Sequence, residues 1–113
     1  MINKEKDIEV QTSSQFTKML LRVTEALIKY TTLSNRTAVQ EAGYIGFVEL
    51  LKKSLPVLNR LNGFIDEALH LKLTTYYYLM KEMAEEGDQN ALMIYQDLAP
   101  GLEKLLFVPM NEH

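Results

Sequence analysis

Ser14-Gln15-Phe16-Thr17-Lys18-Met19-Leu20-Leu21-Arg22-Val23-Thr24-Glu25-Ala26-Leu27-Ile28-Lys29-Tyr30 is the stretch on which the fold turns. Its apolar residues Phe16, Met19, Leu20, Val23, Ala26, Leu27 and Tyr30 recur at intervals of three and four, which places them on one stripe of an α-helix. Ser13 or Ser14 offers a hydroxyl to the free amides of a first turn. The spacing predicts a helix from about Ser14 to Leu33. Leu21 and Ile28, seven apart, fall off the stripe and form a second, thinner apolar line.

Outward from this helix the same period continues. Thr32-Leu33-Ser34-Asn35-Arg36-Thr37 is rich in side chains that bond their own backbone and is read as a turn. A second helix is predicted from Thr37 to Ser54, with Val39, Tyr44, Phe47, Val48, Leu50 and Leu51 on its apolar arc and Glu41, Glu49, Lys52 and Lys53 opposite. Gly43 and Gly46 weaken it, each by up to about 1 kcal/mol against alanine. Close approach by a neighbouring helix is the expected offset.

Pro56 is tolerated in a first turn, where its missing amide has no partner. A long third helix is therefore predicted from Pro56 to Glu86. Its stripe is Val57, Leu58, Leu61, Ile65, Ala68, Leu69, Tyr76, Leu79, Met80 and Met83, while Phe64, Leu71, Leu73, Tyr77 and Tyr78 lie outside it. Gly87 is placed to end this helix and Asp88 to cap a fourth, Gln89 to Leu98. Pro100 is expected to kink or break that helix, leaving a short last one from Pro100 to Phe107. The expected architecture is an all-α bundle of about four helices, spanning residues 13–108 between tails at 1–12 and 109–113.

Composition agrees with one globular domain. In 113 residues the apolar share is 47% and the charged share 24%, which argues against wholesale disorder. There is no cysteine, hence no disulfide and no thiolate chemistry. The start, Met1-Ile2-Asn3-Lys4-Glu5-Lys6-Asp7, has no apolar run behind its charges, and no stretch reads as a membrane span. A cytoplasmic setting is the expectation. Net charge is -3 and the 12 basic residues are scattered, with Lys52-Lys53 and Arg60 the densest spot, which argues against nucleic acid as a partner.

Candidate chemistry is sparse. Glu67 and His70, three apart on one helix face, match the pair used by carboxylate-histidine metal bundles. Such sites need a second pair and more carboxylates, here only from a dimer, with Glu25 or Glu41 added. The other histidine is the terminal His113, and the ordinary reading of Glu67 and His70 is an exposed face. Asp66-Glu67 and Glu82, Glu85, Glu86 and Asp88 are charged surface, with a basic partner as the alternative for the second group. Glu41-Ala42-Gly43-Tyr44-Ile45 resembles the tight turn of a helix-turn-helix, which would make residues 37–54 a DNA reader, though Glu49 follows where a base or amide is wanted. Lys72 lands near the third helix's stripe, its stem expected along apolar surface. No residues group into a catalytic constellation or a phosphate loop, so no catalytic residue and no cofactor are assigned.

The positive signal is apolar surplus. Leu21 and Ile28, Tyr44 and Phe47 on the glycine-lined second helix, and Tyr76, Tyr77 and Tyr78 point in more directions than a small bundle is expected to cover. Surplus of that kind marks interfaces. The sequence therefore predicts a non-enzymatic interaction protein, an adaptor, inhibitor or small regulator, self-associating as a homodimer or binding another protein.

Overall fold

The structure, a computed structural model, describes residues 4–33, 35–60 and 65–107, and of residues 4–14 the backbone alone. Four helices follow one another: α1 (Lys4–Thr32), α2 (Ala38–Arg60), α3 (Glu67–Glu85) and α4 (Gln89–Phe107). The described residues contain no strand, and the expected all-α bundle is what they form. α1 packs on α2 and α3, and α4 packs on the same two. Ring contacts of Tyr30 with Tyr44 and Phe47 set α1 antiparallel to α2. Lys52 beside Asp97 and Asn59 beside Gly101 set α2 parallel to α4.

Each joint is fixed by named side chains. Thr37 and Gln40 form a reciprocal cap at the start of α2: the Thr37 amide donates to Gln40 Oε1 at 2.9 Å, and the Gln40 amide to Thr37 Oγ1 at 3.1 Å. Asp66 caps α3 by accepting from the Leu69 amide at 2.8 Å. Gly87, at φ +102, closes α3 with amide bonds back to Ala84 and from Asp88 to Met83. Asp88 then caps α4 through the Ala91 amide.

Four boundaries differ from those read in the sequence. α1 starts at Lys4, so most of the segment expected as a tail is helical backbone; residues 1–3 and the expected tail 109–113 lie outside the described residues. α2 does not stop at Ser54 but runs through Pro56 to Arg60, and α3 begins only at Glu67. α4 continues unbroken through Pro100. Both prolines are exposed, as are Lys52 and Gln96, whose carbonyls lose a helical partner. A freed carbonyl costs least on the solvent side. On the inner side Leu55 and Leu58, and Leu98, Ala99 and Leu102, are buried and hold the helix on its course.

The core unites Leu20, Val23 and Leu27 of α1 with Tyr44, Val48, Leu51, Leu55 and Leu58 of α2. Leu69, Leu73, Tyr76, Tyr77 and Met80 of α3 and Leu98, Leu102 and Leu105 of α4 complete it. Leu69, Tyr76 and Met80 of the expected α3 stripe are core, and two residues expected outside it join them. Leu73, four residues after Leu69 and three before Tyr76, and Tyr77 are core, because α3 packs against both α1 and α4, whereas Ala68 in its first turn is exposed. A line of threonines, Thr17, Thr24 and Thr31, is buried on α1 beside the leucines. Thr24 donates to the Leu20 carbonyl at 2.7 Å.

Candidate interaction face between α2 and α4

Most of the apolar surplus is folded inward. Tyr44 and Tyr76 are buried at the crossing of α1, α2 and α3, where hydroxyls form a chain. Thr31 Oγ1 bonds the Leu27 carbonyl at 2.6 Å and the Tyr44 hydroxyl at 3.1 Å, and Tyr44 meets the Tyr76 hydroxyl at 3.4 Å. Burial pushes the Tyr76 phenol well above its ordinary value. Tyr77 is buried between α3 and α4; its hydroxyl donates to Glu103 and lies 3.2 Å from that of Tyr95. The bond to Glu103 raises its phenol too. Among the described residues no buried side-chain nitrogen or oxygen lacks a partner.

Of the residues read as interface candidates, then, Tyr44, Tyr76 and Tyr77 are buried in the chain's own core. Leu21, Ile28 and Phe47 are half-buried against that core, Phe47 stacked on Tyr30. Only Tyr78 is open, at 52% exposure, with its ring 6.0 Å from that of Phe107. The small bundle covers more than expected because its four helices ring one core and α3 is apolar on the sides that face both α1 and α4.

The other candidates fall on ordinary surface. Glu67 and His70 are exposed in the first turns of α3, and the described residues hold no group of three side chains able to grip a metal ion. The turn required of a helix-turn-helix is absent, since α2 is continuous from Ala38 to Arg60. Its glycines do not both mark a close approach: a Cβ on Gly43 would meet Tyr30 at ordinary contact distance, and one on Gly46 would meet nothing. Arg36 locks the α1–α2 joint. It is paired with Glu41, donates to the Tyr30 carbonyl at 2.9 Å and lies 4.7 Å over the Tyr44 ring. The cleft beside it, about 390 Å³, is lined by Thr31, Glu41, Met83 and Asp88 among others. Lys72 is half-buried.

A second outward surface with shape is the seam of α2 and α4. At one end Ile45, 54% exposed, and Met93, 67% exposed, flank a shallow hollow of about 180 Å³ floored by Val48 and Ile94. Glu49 and Asp97 edge it. Lys52 then bridges to Asp97 across the seam at 2.9 Å, a bond that raises the lysine's pKa. Beyond the bridge a larger groove of about 500 Å³ runs over Leu55, Pro56, Asn59 and Gly101 to Arg60 and Lys104. Gly101 makes the seam tight here. Leu55 lies against its α-carbon, and the Asn59 amide donates to the Leu55 carbonyl at 2.9 Å and reaches the Gly101 carbonyl at 3.5 Å.

The sequence carried little signal for this face. Ile45 and Met93 sit on separate helices, and only the parallel pairing of α2 with α4 brings them together. Compared with family models, curated proteins and solved structures, the chain matches none. Among the described residues no helix is long and apolar enough to cross a membrane.

Proposed function

We propose that this chain is a non-enzymatic interaction module, an adaptor, inhibitor or small regulator, that acts by docking a partner on the α2–α4 face. The observation that carries the reading is the pair Ile45 and Met93, two large apolar side chains held more than half open on either side of one hollow. Isolated exposed apolar residues such as Val39 and Leu71 need no such explanation. A pair facing each other across a seam is the arrangement that receives an apolar anchor.

Magnitudes bound the role of that pair. Covering both side chains contributes roughly 2–4 kcal/mol at the usual area coefficient. A micromolar complex needs about 8 kcal/mol. The apolar end is therefore an anchor, and the rest of the seam must supply further contacts. A homodimer is the simplest complex of this kind.

Fluorescence-detected sedimentation tests the reading, with the labelled chain alone and in an extract of the cells that make it. A faster-sedimenting species is expected, lost when Ile45→Ser and Met93→Ser are combined while the urea midpoint holds. A double variant that sediments like the parent chain would overturn it.

A further inference from the structure

The two ends of the α2–α4 seam differ in charge. The chain as a whole carries -3, yet the groove beyond the Lys52–Asp97 bridge is lined by Lys52, Arg60 and Lys104 against the single carboxylate of Asp97. Arg60 and Lys104 stand in the last turns of α2 and α4. Each helix end absorbs about half a positive charge there, which leaves a surplus of about one among the described residues that line the groove. Among the described residues no carboxylate lies within ion-pair distance of Arg60 or Lys104. At the opposite end the rim carries Glu49 beside an apolar floor, with Asp97, already paired with Lys52, shared between the two ends.

We propose that the occupant of this seam is an acidic amphipathic helix of a partner protein, with apolar residues over Ile45 and Met93 and carboxylates towards Arg60 and Lys104. The inference rests on the reading that this face docks a partner. Three features of the seam select that occupant. Its length suits a helix: Ile45 and Arg60 are separated by about 22 Å at 1.5 Å per residue, the span of four turns. Its shape, a groove between two parallel helices, is the one into which an amphipathic helix lays its apolar side. Its charges fix direction, since a carboxylate near Glu49 is repelled, whereas one beside Arg60 meets a planar fork of donors. Asn59 takes little part, because its amide is already spent on the Leu55 and Gly101 carbonyls.

The test uses the full chain and a synthetic helix of about five turns with leucine along one stripe and glutamates in its last two turns. A counterpart carries lysines in their place, and binding is read from backbone amide shifts. The acidic helix is expected to shift the amides of residues lining the seam and to bind at least about tenfold more tightly than the basic one, with added salt narrowing the gap. Arg60→Glu combined with Lys104→Glu should reverse the preference, while the urea midpoint falls modestly because two cations at helix C-termini become anions. Equal affinity for the two helices, no shifts with the acidic one, or tighter binding of a single-stranded DNA oligonucleotide would each overturn the proposal. In extract, loss of the complex with Ile45→Ser and Met93→Ser but not with the charge reversals keeps the docking face and removes the acidic partner. Indifference to both pairs of substitutions removes the docking face itself.

Discussion

Leu55 occupies the space that a side chain at position 101 would need: its Cδ1 lies 3.0 Å, and its Cβ 3.4 Å, from where a Cβ on Gly101 would stand. That contact draws α2 and α4 together beneath the basic groove. Gly101→Val should destabilise the bundle by about 1–3 kcal/mol through overpacking. Gly46, exposed and with nothing near its missing Cβ, should behave in the opposite way. Gly46→Ala is expected to add about 0.5–1 kcal/mol from helix propensity alone. Urea unfolding of both variants decides it, and a stabilising Gly101→Val would refute the close approach.

Arg36 ties the α1–α2 joint by a charged hydrogen bond to the Tyr30 carbonyl, an ion pair with Glu41 and a ring contact with Tyr44. A hydrogen bond to a charged group contributes about 1.5–3 kcal/mol, and Arg36→Ala should cost an amount in that range by chemical denaturation. Arg36→Lys should recover less than half, because an ammonium cannot reach two acceptors in one plane while lying over a ring.

The buried threonines separate two roles of a hydroxyl. Thr24 bonds only the Leu20 carbonyl, which its helix already satisfies, so Thr24→Val is expected to be neutral or slightly stabilising. Thr31 also meets the buried Tyr44 hydroxyl. Thr31→Val should cost about 1 kcal/mol by leaving that phenol short of a partner. Equal effects of the two substitutions in thermal unfolding would argue against the hydroxyl chain.

Alkaline pH offers a further check. Tyr76, by burial, and Tyr77, by its bond to Glu103, hold their protons above the ordinary tyrosine value of 10.0. Both are raised in the folded chain, so their stabilisation is complete below pH 10 and is lost as the pH climbs beyond it. The urea midpoint should stay level from about pH 7 to 9, as far as these phenols govern it, and fall past pH 10. Tyr76→Phe should fall less steeply. A variant with the same alkaline slope as the parent would show that this phenol is not buried.

How much of this was legible in the sequence follows from how local each signal was. Gly87 and Asp88 announce the α3–α4 turn because a left-handed glycine and a capping aspartate act within four residues, and both do so in the structure. Pro56 misled for a physical reason: a proline starts helices readily, but on an exposed side it can also be carried inside one when Leu55 and Leu58 are held in the core. In α3 Leu69, Tyr76 and Met80 are legible as core from their spacing, whereas Leu73 and Tyr77 widen that stripe because two helices pack on it. Their burial, and that of Tyr44, depends on which helices become neighbours, which no single-helix pattern states. The α2–α4 seam was illegible on the same ground, since Ile45 with Met93, and Arg60 with Lys104, are paired only by tertiary packing.

The most direct measurement is site-specific photo-crosslinking in the cells that make the protein. A photoreactive residue is placed at Ile45 or Met93 on the seam, and for comparison at Thr75, exposed on α3. Crosslinks to one discrete protein species from positions 45 and 93, and none from 75, are the expected result. Crosslinks from 75 alone, or none from the seam while the chain is folded and abundant, would contradict the assignment of the α2–α4 face.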